Sequence, residues 1–118
     1  MTTTLKTVTP EVLIDIVCKF YELDVDRLKK RIPETGRHYR SKEYVKGRQF
    51  IHYWLRKNTS MTLKKVGSIM EGMDHATVSH SIVTVVDEMN LYSSYKKEIF
   101  ALNQLIQQYE EEVIEQTV

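Results

Sequence analysis

The chain has almost nothing with which to lock itself covalently: a single cysteine, Cys18, in 118 residues. An internal disulfide is excluded, and Cys18, beside Val17 on an apolar stripe, reads as a buried thiol rather than a reactive one. Only two prolines and four glycines interrupt the sequence, so long stretches are free of helix breakers. No apolar run approaches the ~18 residues of a membrane span, and residues 1–9 hold no apolar signal segment. A cytoplasmic protein without membrane contact is expected. Strand-length alternation, internal repeats and low-complexity linkers are also missing. With 42% hydrophobic and 28% charged residues, the expectation is one all-α domain with a modest core.

Catalytic spacing is lacking too. His38, His52, His75 and His80 include no i, i+4 pair, so one helix face cannot supply zinc ligands. Adjacent Asp74 and His75 point in different directions on a helix, so neither orients the other for Ser79 as a triad would require. No enzyme, metal, cofactor or small-molecule substrate is expected.

What is present is a strong charge asymmetry hidden by a net charge of +1. Residues 29–65 carry twelve Lys and Arg against Glu34 and Glu43, a net +10, whereas residues 71–118 carry two Lys against nine Asp and Glu, a net −7. Such a split is the footprint of a chain whose one face meets a polyanion.

In chain order, residues 1–8 are polar and Thr-rich and are expected to be disordered. Thr9 caps a first helix with Pro10 in its first turn and a stripe of Leu13, Ile16, Val17, Phe20 and Tyr21. Asp24 caps a short second helix carrying Leu28. Pro33 and Gly36 then open a basic loop, KKRIPETGRHYR. Ser41 caps a longer helix to about Lys57 with Tyr44, Ile51, Trp54 and Leu55 facing inward, weakened by Gly47. A final helix starts at Ser93 or Ser94, with Tyr95, Ile99, Leu102, Ile106, Tyr109 and Val113 at helical steps. The helical domain thus spans residues 9–113, followed by an acidic, frayed tail at 114–118.

The stretch from Thr62 to Met89 organises the rest. Leu63, Val66, Ile69 and Met70 form one helical stripe, and Val78, Ile82, Val85, Val86 and Met89 another. Between them Gly72 can take a left-handed conformation and Asp74 can cap the second helix. This is a helix-turn-helix outline. On the second helix Ala76, His80, Val83, Thr84 and Asp87 point away from the core.

The string EGMDHATVSH resembles the GGRDHTTVLH signature of the C-terminal DNA-binding domain of the bacterial chromosomal replication initiator, the DnaA family. Upstream, GRQFIHYWLRKNTSMTLKKVG resembles the family's PRQ segment, apolar helix, Thr-containing turn and S-L-x-x-I-G, and the two stretches join without a gap from Arg48 to His80. VCKFYELDVDRLKKR resembles the family's first helix and its approach to a basic loop. The resemblance implies about six helices in a Trp-repressor-like arrangement, with double-stranded DNA as the partner.

A recognition helix must offer donors and acceptors to base edges, and its first turn usually penetrates the major groove. His75 can donate or accept, Thr77 carries a hydroxyl and a methyl, and Asp74 can accept from a cytosine amine or simply cap the helix. By resemblance, Asp74, His75 and Thr77 contact bases, and Arg48, Gln49 and His80 match family residues on the phosphate backbone. Thr62, Leu63 and Lys64 open a helix whose free N–H groups suit an anionic oxygen. Arg31, Arg37 and Arg40 of the basic loop are minor-groove candidates, as the family's loop implies.

Three departures stand out: Met73 replaces the family arginine, Ala76 the first threonine and Ser79 the leucine before the second histidine. The preferred site should therefore differ from the family box. The 118 residues contain no Gly-rich phosphate loop, so no ATPase module is expected. The alternative to sequence-specific DNA binding is a protein-interaction module that kept the scaffold and lost base reading.

Overall fold

The computed structural model describes the backbone of residues 8–117 and the side chains of residues 8–112. The described residues form six helices: α1 (Pro10–Tyr21), α2 (Val25–Lys29), α3 (Lys42–Asn58), α4 (Leu63–Gly67), α5 (His75–Leu91) and α6 (Ser93–Thr117). The expected all-α class holds, and the nearest approach to a strand among them is an isolated antiparallel bridge between Arg31 and His38. Residues 1–7 of the expected disordered leader lie outside the described residues, and Val8 is buried in the core. The expected frayed tail and the Val113 side chain also fall beyond the described side chains.

Helix starts follow from capping chemistry. Thr9 Oγ1 accepts the Val12 N–H, an Asp24 carboxylate oxygen accepts Arg27 N–H, Thr62 Oγ1 accepts Lys65 N–H and Asp74 accepts Thr77 N–H. Each satisfies one donor that a helix start leaves free. Ser41 holds the cap position of α3 with extended backbone but makes no side-chain bond there.

Helix α3 is the axle of the fold. Its buried residues include Phe50, Ile51, His52, Tyr53, Trp54 and Leu55 in one unbroken run, because α1, α2, α4 and α5 all pack around it. The expected inward set named Ile51, Trp54 and Leu55, which are buried, and Tyr44, which is half-buried and uses its hydroxyl to accept the Asp24 N–H. Gly47 is not a weak point but a contact. A Cβ there would come within 3.2 Å of Leu23 and Val17 side chains and 3.3 Å of Leu28. The missing side chain lets α1 and α2 lie close to α3, which offsets the ~1 kcal/mol that glycine costs within a helix.

Tyr95, Ile99, Leu102 and Ile106 of α6 are buried as their spacing predicts. The helix is tied further by Glu98, which pairs with Lys46 of α3 at 3.4 Å and accepts the Tyr21 hydroxyl of α1 at 3.0 Å. Cys18 is buried, and desolvation pushes its thiol up to about 11, so it is inert as expected. No helix of the described residues is long and apolar enough to cross a membrane.

The helix-turn-helix departs from expectation in two places. α4 ends at Gly67 rather than running on to Met70, so Ile69 and Met70 enter the core from the turn. Gly67 fits there because a Cβ would lie 2.6 Å from the Met73 carbonyl oxygen. On α5, Val78 and Val85 are buried, but Val86 is 39% exposed, and Ser81 takes the buried place beside them.

Candidate nucleic-acid interface

The turn between α4 and α5 is fixed by its own backbone and by the basic loop. Gly72 has φ +70°, the left-handed region in which glycine is free of strain. Asp74, in extended conformation, then starts α5: one carboxylate oxygen accepts both the N–H and the hydroxyl of Thr77 at 2.9 Å. These bonds, backbone first and hydroxyl second, hold the Asp74 carboxyl below its ordinary range. Its second oxygen remains for an external donor. The Thr77 hydroxyl, having donated to Asp74, keeps its lone pairs and methyl. His75, Ala76, Thr77 and His80 are all exposed on the first two turns, with His80 Nε2 3.4 Å from the Thr84 hydroxyl.

The basic loop folds back as a small hairpin. Ile32 N–H donates to Arg37 O and Gly36 N–H to Ile32 O, both at 2.7 Å, with Gly36 at φ +70°. Its base is clamped to the helix-turn-helix by Arg31. The guanidinium donates to the carbonyls of Glu71 at 3.3 Å, Gly36 at 3.1 Å and Gly72 at 2.8 Å. In return the Glu71 side chain accepts the Arg31 N–H at 2.9 Å, and Glu71 N–H donates to Lys29 O at 2.9 Å. Arg31 therefore braces the loop and does not have the free guanidinium that a minor-groove role needs. Arg37 and Arg40 are exposed and make no side-chain hydrogen bond among the described residues.

Arg48 is also turned inward, contrary to the expectation of a phosphate contact. Only 4% exposed, it donates to the carbonyls of Leu28, Tyr39 and Arg27, closing both ends of the segment that holds the loop. Burial, with Arg40 second, lowers its pKa to about 10. It lends charge to its surroundings rather than a free fork of donors.

Between the loop and α5 lies an open cleft of about 580 Å³. Arg37, His38 and Arg40 line one wall, Ala76, Thr77 and His80 the other, and Arg48, Gln49, His52 and Ser81 lie between them. His52 and Ser81 are a buried pair, Nδ1 to Oγ 3.0 Å, that joins α3 to α5. Desolvation and then Arg48 press His52 down to about 4, and burial followed by Arg48 and Arg31 lowers His38. Both are neutral at pH 7. Thr62, Leu63 and Lys64 do not line the cleft. They form the start of α4, where Thr62 caps Lys65 N–H and the first-turn N–H groups of Leu63 and Lys64 have no helical acceptor. Met73, in place of the family arginine, is half-buried against the core and also reaches the cleft.

Of the expected site, Arg37, Arg40, Gln49, Thr77 and His80 line the cleft, while Asp74 and His75 stand at the start of α5 outside its lining. Arg31 and Arg48 are redirected into structure. Glu71, His52 and Ser81 were missed, since no spacing in the sequence links them to their partners. Among the described residues no group of His, Cys, Asp and Glu could hold a metal ion.

The profile of the family described as bacterial dnaA protein helix-turn-helix matches residues 10–85. Similar proteins include the chromosomal replication initiator protein DnaA of Chloroflexus aggregans, 30% identical over 100 residues, covering 85% of this chain and 20% of that protein. That of Porphyromonas gingivalis is 28% identical over 101 residues, covering 86% of this chain and 20% of its own length. In Bacteroides thetaiotaomicron the figures are 27%, 101 residues, 86% and 20%. The chain spans about a fifth of the length of these relatives.

Proposed function

We propose that this chain, which belongs to the bacterial DnaA helix-turn-helix family, binds double-stranded DNA and reads its sequence through the first turns of α5. The observation that carries the reading is the cleft between basic loop and α5. A helix in the major groove and a loop at the adjacent minor groove must straddle one sugar-phosphate strand. The cleft runs between those two elements, and its loop wall is cationic. In this arrangement His75 and Thr77 face base edges, with the free oxygen of Asp74 available to a cytosine amine. Gln49 and His80 meet phosphate from within the cleft, and Lys64 with the first-turn N–H groups of α4 meets it from outside. Arg37 and Arg40 are the arginines left for the minor groove.

The test is titration of labelled duplexes by the purified chain across a salt series. Neutralising roughly four to six phosphates gives a log–log slope of about −4 to −5. A binding-site selection from random duplexes then asks whether one sequence is enriched. Failure to bind any duplex at about 50 mM salt, where such contacts are strong, overturns DNA binding in favour of a protein-interaction scaffold. Binding without enrichment overturns base reading alone.

A further inference from the structure

We propose that Val83 is a specificity residue of α5, one that reads a thymine methyl group beyond the bases reached by the first turn. The inference rests on the major-groove placement of α5 proposed above.

Val83 is 56% exposed, whereas Val78 and Val85 of the same helix are fully buried. With Val78 pointing into the core, the 100° helical step places Ala76, Val83, Asp87 and His80 within an arc of about 60° on the opposite side. All four are exposed. Val83 therefore shares the face that carries Ala76 toward the groove, with His80 on its phosphate-side flank. Around it the face is polar, with the His80 and Thr84 side chains beside each other, so the core has no use for a branched apolar side chain here.

Chemistry narrows what it could meet. Of the groups displayed in the major groove, the thymine C5-methyl is the apolar one, and an aliphatic side chain cannot satisfy the donors and acceptors of the other edges. Geometry places the contact. Seven residues separate Ala76 from Val83, about 10.5 Å of helix, which matches about three base-pair steps at 3.4 Å each. Asp87, one turn further on the same face, is exposed and anionic and would be repelled by phosphate. Reading therefore ends with the turn that carries Val83. Ala76 can touch a methyl as well, so the target should contain two thymine methyls about three base pairs apart.

The experiment takes the enriched site from the selection and replaces each thymidine in turn by deoxyuridine, which removes only the methyl. Affinities are measured for the wild-type chain, Val83→Ala and Val83→Thr. One replacement should weaken the wild type about fourfold, the worth of one buried methyl, and leave Val83→Ala unchanged at that position. Every other replacement should act alike on both proteins. Val83→Thr, which keeps one methyl, should fall between them, and affinity for random duplex should be the same for all three. Identical deoxyuridine profiles for wild type and Val83→Ala, or an enriched site whose thymines are all insensitive, overturn the inference while leaving base reading intact. If no sequence is enriched at all, the base-reading function fails and the inference with it.

Discussion

Gly72→Ala should destabilise the helix-turn-helix, and its cost should depend on a residue 41 positions away. Two terms contribute. Holding an alanine at φ +70° costs about 1–2 kcal/mol. The new Cβ would also lie 1.8 Å from Arg31 Nη2 and 2.5 Å from its Cζ, so the guanidinium must leave its three carbonyl acceptors. Charge-assisted bonds are strong, but these are solvent-accessible and their carbonyls can turn to water, so the three together are worth roughly 1–2 kcal/mol. Gly72→Ala alone should therefore cost roughly 2–4 kcal/mol. In an Arg31→Ala background there is no guanidinium to displace, and the same change should cost only about 1–2 kcal/mol. Urea unfolding of the four proteins of this cycle measures the coupling, provided m is unchanged across the set. Additivity within about 0.5 kcal/mol would refute the seating of Arg31 against the turn.

Three further predictions concern the site. Arg48→Ala should cost about 3 kcal/mol or more, because it strands the Leu28, Tyr39 and Arg27 carbonyls around a buried position; Gln49→Ala should leave the melting temperature unchanged and weaken specific and random duplexes alike, and the reverse pattern would exchange their roles. His52 has a folded-state pKa of about 4 against an ordinary 6.5, so the unfolded chain binds the extra proton between those values and stability falls as pH drops from about 6.5 to 4. That loss is about 3 kcal/mol, with His38 adding in the same direction, and chemical denaturation of His52→Met across this range should show a shallower fall. Asp74→Asn should keep the cap and the melting temperature but change the enriched DNA sequence, whereas Asp74→Ala should lower the melting temperature too; equal site preferences for wild type and Asp74→Asn would assign Asp74 to capping alone.

Local features were legible in the sequence, and contacts between distant positions were not. Caps at Thr9, Asp24 and Asp74 were readable because each involves a side chain and an N–H three residues on. Gly72 was readable as a left-handed turn, yet its second reason for being glycine, the guanidinium packed against it, was not. The arginines show the limit most clearly. Arg31, Arg37, Arg40 and Arg48 contribute equally to the +10 block, but two are spent on backbone carbonyls and two are free. Composition counts charge; only the fold decides where it points. α3 misled for a related reason: a helix surrounded by four others has no single apolar face, so periodicity identified only part of its buried set.

The two redirected arginines hold the loop and α5 in a fixed relation, which the proposed reading of DNA by both elements would use. The twelve residues between α2 and α3, left free, would have to be ordered on binding, at a cost of about 1–2 kcal/mol per residue in backbone entropy. Here much of that ordering is already met by the folded state. Ile32 pairs with Arg37, Arg31 with the carbonyls of the helix-turn-helix turn, Glu71 with Lys29 and Arg31, and Arg48 with carbonyls on both sides of the loop. The distance between the cationic wall and the first turn of α5 is then a property of the free protein, set before any strand enters the cleft. Removing Arg31 should consequently weaken the enriched site more than random duplex. A random duplex can be met by loop and helix separately, whereas a read sequence requires both in register on the same turn of DNA.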